Sequence, residues 1–475
     1  MSGLPFELLD VQLYERDVTL RLPFRFGVVT LREAPQALVR VRVRLKDGRE
    51  AWGMSAELMV PKWFDKRPQL SNRDNIDQLR RALARARRHY LDLGRSDSAF
   101  QLAESAYPEL VLNGGENLNP LAAQFGPAQL DKAVLDGLCR AVGVSFPAAL
   151  RRNLPGLRAG VLTPDLAGFD LPGFLAGMSL PDTVQARHTV GMLDPLTAAD
   201  QAADAVVGDG LPETLDQVIR VYGNTCFKLK LNGELEADLD RLRGVAAVID
   251  TLPGPYSVTL DGNEQFTRVD QVVELWRGIE ADAALARLRR STLFIEQPIH
   301  RSVALSEPVW DLAHHVPVII DESDATMDAL PRARALGYAG VSSKACKGLY
   351  KSLLNAARCQ VENQRTEGLR CLISGEDLTC QPGLAVQQDL ALVGVLGITH
   401  VERNGHHYVR GMDGAPKAEQ QAFLDAHPDL YRMVQGSVGL RVEAGRIRLG
   451  SLDCVGYASA AEPQWDALTE MNLSE

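Results

Sequence analysis

Cys226-Phe227-Lys228-Leu229-Lys230-Leu231 decides how the rest of the chain is read. Side chains alternate along a strand, so Lys228 and Lys230 share one face and Phe227, Leu229 and Leu231 share the other. The apolar face should pack against helices. The lysine face then points into an enclosed mouth, where two ammonium groups are costly without partners. Crowding two cations should depress the pKa of at least one, which suits a general base.

Partners follow along the chain. Thr259-Leu260-Asp261-Gly262-Asn263, Phe294-Ile295-Glu296-Gln297-Pro298 and Ile319-Ile320-Asp321-Glu322-Ser323 are each an apolar run stopping at a carboxylate. Ser342-Ser343-Lys344 ends the next run on a lysine. Candidate strands recur at 185–192, 226–231, 256–261, 292–296, 316–321, 340–344, 370–374 and 398–402. Amphipathic helical stretches lie between them at 235–249, 269–288, 350–363 and 384–396. Strand–helix alternation implies parallel pairing with right-handed crossovers, and eight such units close a (β/α)8 TIM-like barrel of the α/β class.

In such a barrel, chemistry sits at the carboxyl ends of the strands. Strands two and six lie across the ring from each other, so Lys230 and Lys344 should face one another over the mouth. Asp261, Glu296 and Asp321 fall on the arc between them. Three carboxylates on adjacent strands form a hard, all-oxygen set that favours one Mg²⁺ ion over zinc or copper. Two acid/base groups flanking a substrate beside a divalent cation suit removal of the weakly acidic proton α to a carboxylate, with the cation neutralising the enediolate. Strand parity favours Asp321 over Glu322 as third ligand only if the register holds.

Working outward, residues 1–155 read as an α+β capping domain. Val39, Val41, Val43 and Leu45 alternate with Arg40, Arg42 and Arg44, and Lys46-Asp47-Gly48-Arg49 supplies a hairpin turn. Leu130, Val134, Leu138 and Val142 place an apolar stripe on a helix over 127–140. Residues 156–182 read as an irregular connection, 183–405 as the catalytic barrel, and 406–475 as a tail packing back on the cap.

The 475 residues carry a net charge of −10, with 45% hydrophobic and 24% charged residues. That composition suits a globular protein with no general attraction for nucleic acid or anionic membrane. The seven cysteines are scattered without a Cys-x-x-Cys, so neither a disulfide framework nor a zinc site is expected, and a reducing cytoplasm fits. Residues 1–5 lack the pattern of a signal peptide. The longest apolar run, 390–398, is far short of the roughly 20 residues a membrane helix needs.

Lys228-x-Lys230, Asp261-x-Asn263, Glu296-Gln297-Pro298, Asp321-Glu322-Ser323 and the later Lys344 resemble the enolase superfamily. The likeness is to the mandelate racemase and muconate lactonizing enzyme branch, in its lysine–lysine, muconate lactonizing form. Pro23-Phe24-Arg25-Phe26-Gly27 resembles that family's mobile active-site loop. The resemblance implies that Asp261, Glu296 and Asp321 bind Mg²⁺ and that Lys230 and Lys344 are the acid/base pair. It makes Lys228 an auxiliary cation that tunes Lys230 and meets the substrate carboxylate.

Departures bear on the reaction. The seventh strand ends Ile373-Ser374-Gly375-Glu376-Asp377, without the histidine of the mandelate racemase type. The eighth reads His400-Val401-Glu402-Arg403-Asn404-Gly405, without the Asp-x-Asp of dipeptide epimerases. The expected activity is a racemase, epimerase or cycloisomerase acting on a small carboxylate. A dehydratase or lyase by β-elimination and a metal-independent Schiff-base aldolase stand as alternatives. Asn263, Glu376, Asp377, Phe24 and Phe26 are candidate substrate contacts; Trp63-Phe64 is a candidate lid, and His188 a candidate for the mouth. A homo-oligomer is a base-rate expectation.

Overall fold

The computed structural model describes residues 3–472, apart from Val28, Glu116, Thr366 and Glu367. The alternating valines and arginines form a long antiparallel meander: β1 (Phe6–Phe26), β2 (Val29–Leu45) and β3 (Glu50–Leu58). Val39, Val41 and Val43 are fully buried, while Arg40 turns out to lie over the Trp52 ring, 4.1 Å from its centroid. Gly48 takes a φ of 88° in the hairpin turn, a conformation that favours glycine. The β1–β2 hairpin tip carries Phe24 and Phe26 out over the barrel.

Three helices pack on this sheet: α1 (Asn72–Leu93), α2 (Ala99–Tyr107) and α3 (Pro120–Val142). The stripe at 130–142 belongs to α3, which starts seven residues before the expected 127. Asn119 caps it by accepting from the Ala122 amide, and Pro120 sits at its first turn, where no amide is needed. Every residue from Leu121 to Cys139 is buried, because α3 lies between the sheet and the barrel loop after Lys344. That sandwich requires a bare backbone at Gly53. A Cβ there would overlap the Ala133 carbonyl and the Gly137 amide.

The barrel strands are Thr183–Val190, Cys226–Lys230, Ser257–Asp261, Thr292–Glu296, Val318–Ile320, Gly340–Ser343, Leu372–Gly375 and His400–Arg403. All neighbours pair in parallel, and the ring closes where Val401 registers with Ala186. The 156–182 connection contains one 3₁₀ turn, Pro164–Leu166, and a short helix, Leu171–Ala176. The tail touches both layers. Arg446–Arg448 pairs antiparallel with the first barrel strand, and Thr469–Glu470 pairs with β1. Among the described residues, no helix is long and apolar enough to cross a membrane.

Candidate active site

Parity holds on the second strand. Phe227 and Leu229 pack outward among helix side chains, and both lysines enter the barrel mouth, with Lys228 1% and Lys230 8% exposed. Register then aligns the strand ends: Lys230 opposes Asp261, and Asp261 opposes Glu296. Glu296 opposes Ile319, so the next inward residue on the fifth strand is Asp321. Glu322 turns the other way, toward the cap.

Lys228 is the hub. Its Nζ lies 2.9 Å from Asp261 Oδ2, 2.7 Å from Glu296 Oε2, 2.7 Å from Glu376 Oε2 and 3.0 Å from Glu402 Oε2. Burial works against its charge, but these four carboxylates outweigh burial and hold its pKa well above the ordinary lysine value. Lys344 donates to Asp321 Oδ2; burial again opposes its charge and Asp321 outweighs it, raising its pKa. Lys228 is not a lysine that crowding depresses, because carboxylates, not ammonium groups, are its nearest neighbours. Lys230 donates to Asp261 Oδ2 over 2.6 Å.

The carboxylates divide. Burial would raise Asp261 and Asp321, but Lys228 and Lys230 lower the first, and Lys344 and Lys347 hold the second well below the usual range. Glu296 is pushed well above it by burial and by the nearby charges of Asp261 and Glu376. Neither Glu296 oxygen has a partner in hydrogen-bonding geometry, although Lys228 stands close to one.

The seventh and eighth strands complete the floor. Glu376 bridges Lys228 and the buried Arg187, which also bonds Ser374 and His400. Asp377 is saturated by Arg403 and by the amides of Cys380, Asn404 and Gly405. Glu402 accepts from Thr189, Lys228 and the Asp377 amide. Sequence reading missed Glu402, Lys347 and Arg187. Glu402 carried a usable signal, an apolar run stopping at a carboxylate, as on strands three to five. Arg187, an arginine amid the apolar residues of the first strand, carried a weaker one. His188 does not point into the mouth. It registers with Arg403, on the outward face, and packs its ring against His407.

A cap loop closes over this floor. Lys66 pairs with Glu264 (2.6 Å) and Glu322 (3.3 Å), and Arg301 ties Glu264 to the carbonyls of Trp63 and Phe64. No sequence pattern announced Lys66 or Arg301. The Trp63 ring is thereby set over Lys344, with Nζ 4.4 Å from its centroid. Phe24 stacks on Tyr408 at 4.2 Å, beside Phe26. Phe24, Phe26, Val60, Trp63, Leu378 and Thr379 roof a narrow cavity whose walls include Lys230, Lys344, Asn263, Asp377, Glu402 and Asn404, with about 20 Å³ free inside.

Among the described residues, no three His, Cys, Asp or Glu side chains stand together as a metal cage. Asp261 and Asp321 are turned to lysines, and Lys228 lies between Asp261 and Glu296. The donor set nonetheless fits a hard divalent cation. It is all oxygen, it is buried at the ends of adjacent strands, and Glu296 is left without a hydrogen bond or a full counter-charge.

No protein-family profile matches the chain, and no curated protein does. Solved structures do. An N-succinyl Arg/Lys racemase from Bacillus cereus aligns at TM-score 0.61 and 14% identity, covering 98% of each chain. A muconate lactonizing enzyme from Mycobacterium smegmatis, complexed with muconolactone, aligns at 0.59 and 17%, covering 97% of this chain and 98% of that one. A dipeptide epimerase from Enterococcus faecalis, complexed with Mg and L-Leu-L-Tyr, aligns at 0.59 and 15%, covering 95% and 99%. The chain therefore shares the fold of these three enzymes.

Proposed function

We propose that this protein is an enolase-superfamily isomerase that removes the proton α to a carboxylate, in the lysine–lysine manner of the muconate lactonizing group. The observation that carries the proposal is that Lys230 and Lys344, from strands on opposite sides of the ring, line one cavity. The fold shared with racemases, epimerases and a cycloisomerase supports it.

Asp261, Glu296 and Asp321 are the residues that would hold a divalent cation. When bound, Mg²⁺ supplies positive charge where the deprotonated carboxylate gathers negative charge. The chain's own groups do the rest. Lys230 approaches the α-carbon from one wall and Lys344 from the other, so one takes the proton and the other returns it on the opposite face. Lys228, fixed by Glu376 and Glu402, adds positive charge at the floor. Phe24, Phe26 and Trp63 roof the lysines, which are themselves buried, so these charges act at low dielectric.

The test is exchange of the α-proton in deuterium oxide, followed by NMR with MgCl₂ present. Exchange that EDTA abolishes and Mg²⁺ restores is expected. Absence of exchange in every carboxylate that binds would sink the reading. Product analysis separates isomerisation from β-elimination.

A further inference from the structure

Two thiols stand together outside the mouth. Cys359 lies on the helix Leu349–Arg365, and Cys371 immediately precedes the seventh barrel strand, Leu372–Gly375. Both belong to the apolar layer between barrel and helices, and they are 7% and 4% exposed. Their sulfurs are 2.7 Å apart. Unbonded carbon atoms settle at roughly 3.5–4.0 Å and sulfur is larger, whereas a disulfide bond measures about 2.05 Å. The pair is therefore closer to a bond than to a packing contact. Among the described residues, the remaining cysteines make no sulfur–sulfur contact.

The backbone around the pair is fixed independently of the sulfurs. Asn363 lies one turn beyond Cys359, on the same helix face. Its side-chain amide donates to the Cys371 carbonyl and accepts from the Cys371 amide, each over 2.7 Å. Arg334 donates to the Leu369 carbonyl over 2.9 Å and pairs with Glu362 on the same helix. These fastenings hold the segment ahead of the strand against the helix, and the two thiols meet as a result.

The geometry points to a modification site, at which a peroxide joins Cys359 to Cys371 and the new bond locks this helix to the start of the seventh strand. Two S–H bonds and the O–O bond break, one S–S and two O–H bonds form, and two waters leave. The sulfurs give up the two electrons that the peroxide takes. The bond forms at the entry end of the strand; Glu376, which meets Lys228, lies past its far end. The lock acts by restricting the unfolded chain, across a span of 12 positions. The Cys371 contact, together with burial, holds the Cys359 thiol well above its ordinary pKa. Reactive thiolate is scarce there, so the bond forms slowly and serves as a lock rather than a fast sensor.

The full-length protein is treated with enough hydrogen peroxide to oxidise Cys454, which is less buried. It is then freed of peroxide, unfolded, alkylated with iodoacetamide and digested. Mass spectrometry should find a Cys359–Cys371 cross-linked peptide that dithiothreitol releases. The melting temperature of the oxidised protein should exceed that of the reduced protein by about 2–5 °C. Cys359→Ala and Cys371→Ala should each lose that rise; if one fails to fold, the other and the native cross-link carry the test. Recovery of both cysteines alkylated while Cys454 is oxidised overturns the inference. So does a cross-link to a different cysteine, conversion of either thiol to a sulfinic acid, or a cross-link that leaves the melting temperature unchanged.

Discussion

Lys344 can be removed without stripping Asp321, because Lys347 remains 3.3 Å from its other oxygen. Lys344→Met should therefore fold normally and lose α-proton exchange by about 10²–10⁴-fold, the usual worth of a positioned acid or base. Lys230→Met should do the same, since Asp261 keeps Lys228 at 2.9 Å. Exchange rates with melting temperatures of the variants check both. Arg187 behaves oppositely. It touches no cavity wall, and it bonds Glu376, Ser374 and His400 inside the barrel. Arg187→Leu leaves Glu376 short of a buried partner and should destabilise the fold by about 3–5 kcal/mol, read by denaturant unfolding. Lys230 and Lys344, which line the cavity, were legible because strand ends in a barrel repeat one pattern. Arg187 was not, since its partner Glu376 lies 189 positions away and no local spacing links them.

The short helix after the eighth strand, Gly405–Tyr408, behaves as one element with the first strand. His188, His406 and His407 pack ring against ring, and Tyr408 carries the stack on to Phe24 in the roof. Burial, together with the His406 charge, lowers His188 to about 3; burial lowers His406 to about 4, partly offset by Asp377 and reinforced by Arg403 and Arg432. Burial, His188 and Arg21 drive His407 well down as well. All three are neutral in the fold, whereas the unfolded chain protonates them below their ordinary value of 6.5. Their contribution is present above that pH and is lost as pH falls toward 4. By pH 5 the loss is about 2 kcal/mol for each of His188 and His406. Melting temperature measured from pH 7.5 to 5 should fall more steeply for the native protein than for His188→Leu. A His-His pair is visible in the sequence, but its burial against an outward-facing strand residue is not.

At the scale of the molecule, cap and barrel share one continuous apolar core, and specific charges pin the cap loop over the mouth. Arg301 and Lys66 bolt the cap loop to the barrel by charge, and Gly53 lets α3 approach the sheet. Arg301→Ala should release the loop bearing Trp63 while leaving both cores intact. Hydrogen exchange at residues 60–70 should quicken, with binding weakened and melting temperature little changed. Gly53→Val should act globally, because backbone of α3 occupies the space of the new side chain. A loss of about 1–3 kcal/mol or more in a denaturant titration is expected.

The order Lys, Asp, Glu, Asp, Lys at successive strand ends was written in the sequence, because the strand period fixes which residues share a face. Once eight strand–helix units are counted, barrel geometry fixes which walls they occupy. Parity alone, given the register, also separates Asp321 from Glu322. What only the tertiary structure decided is who neutralises whom. Lys228 became a hub of carboxylates, Glu376 a bridge to Arg187, and Lys66 a cap-borne partner for Glu264 and Glu322. Electrostatic pairing acts through space over a few ångströms and is indifferent to separation along the chain. Strand periodicity can point the Lys228 side chain inward, but only the closed barrel brings Glu376 and Glu402 to meet it.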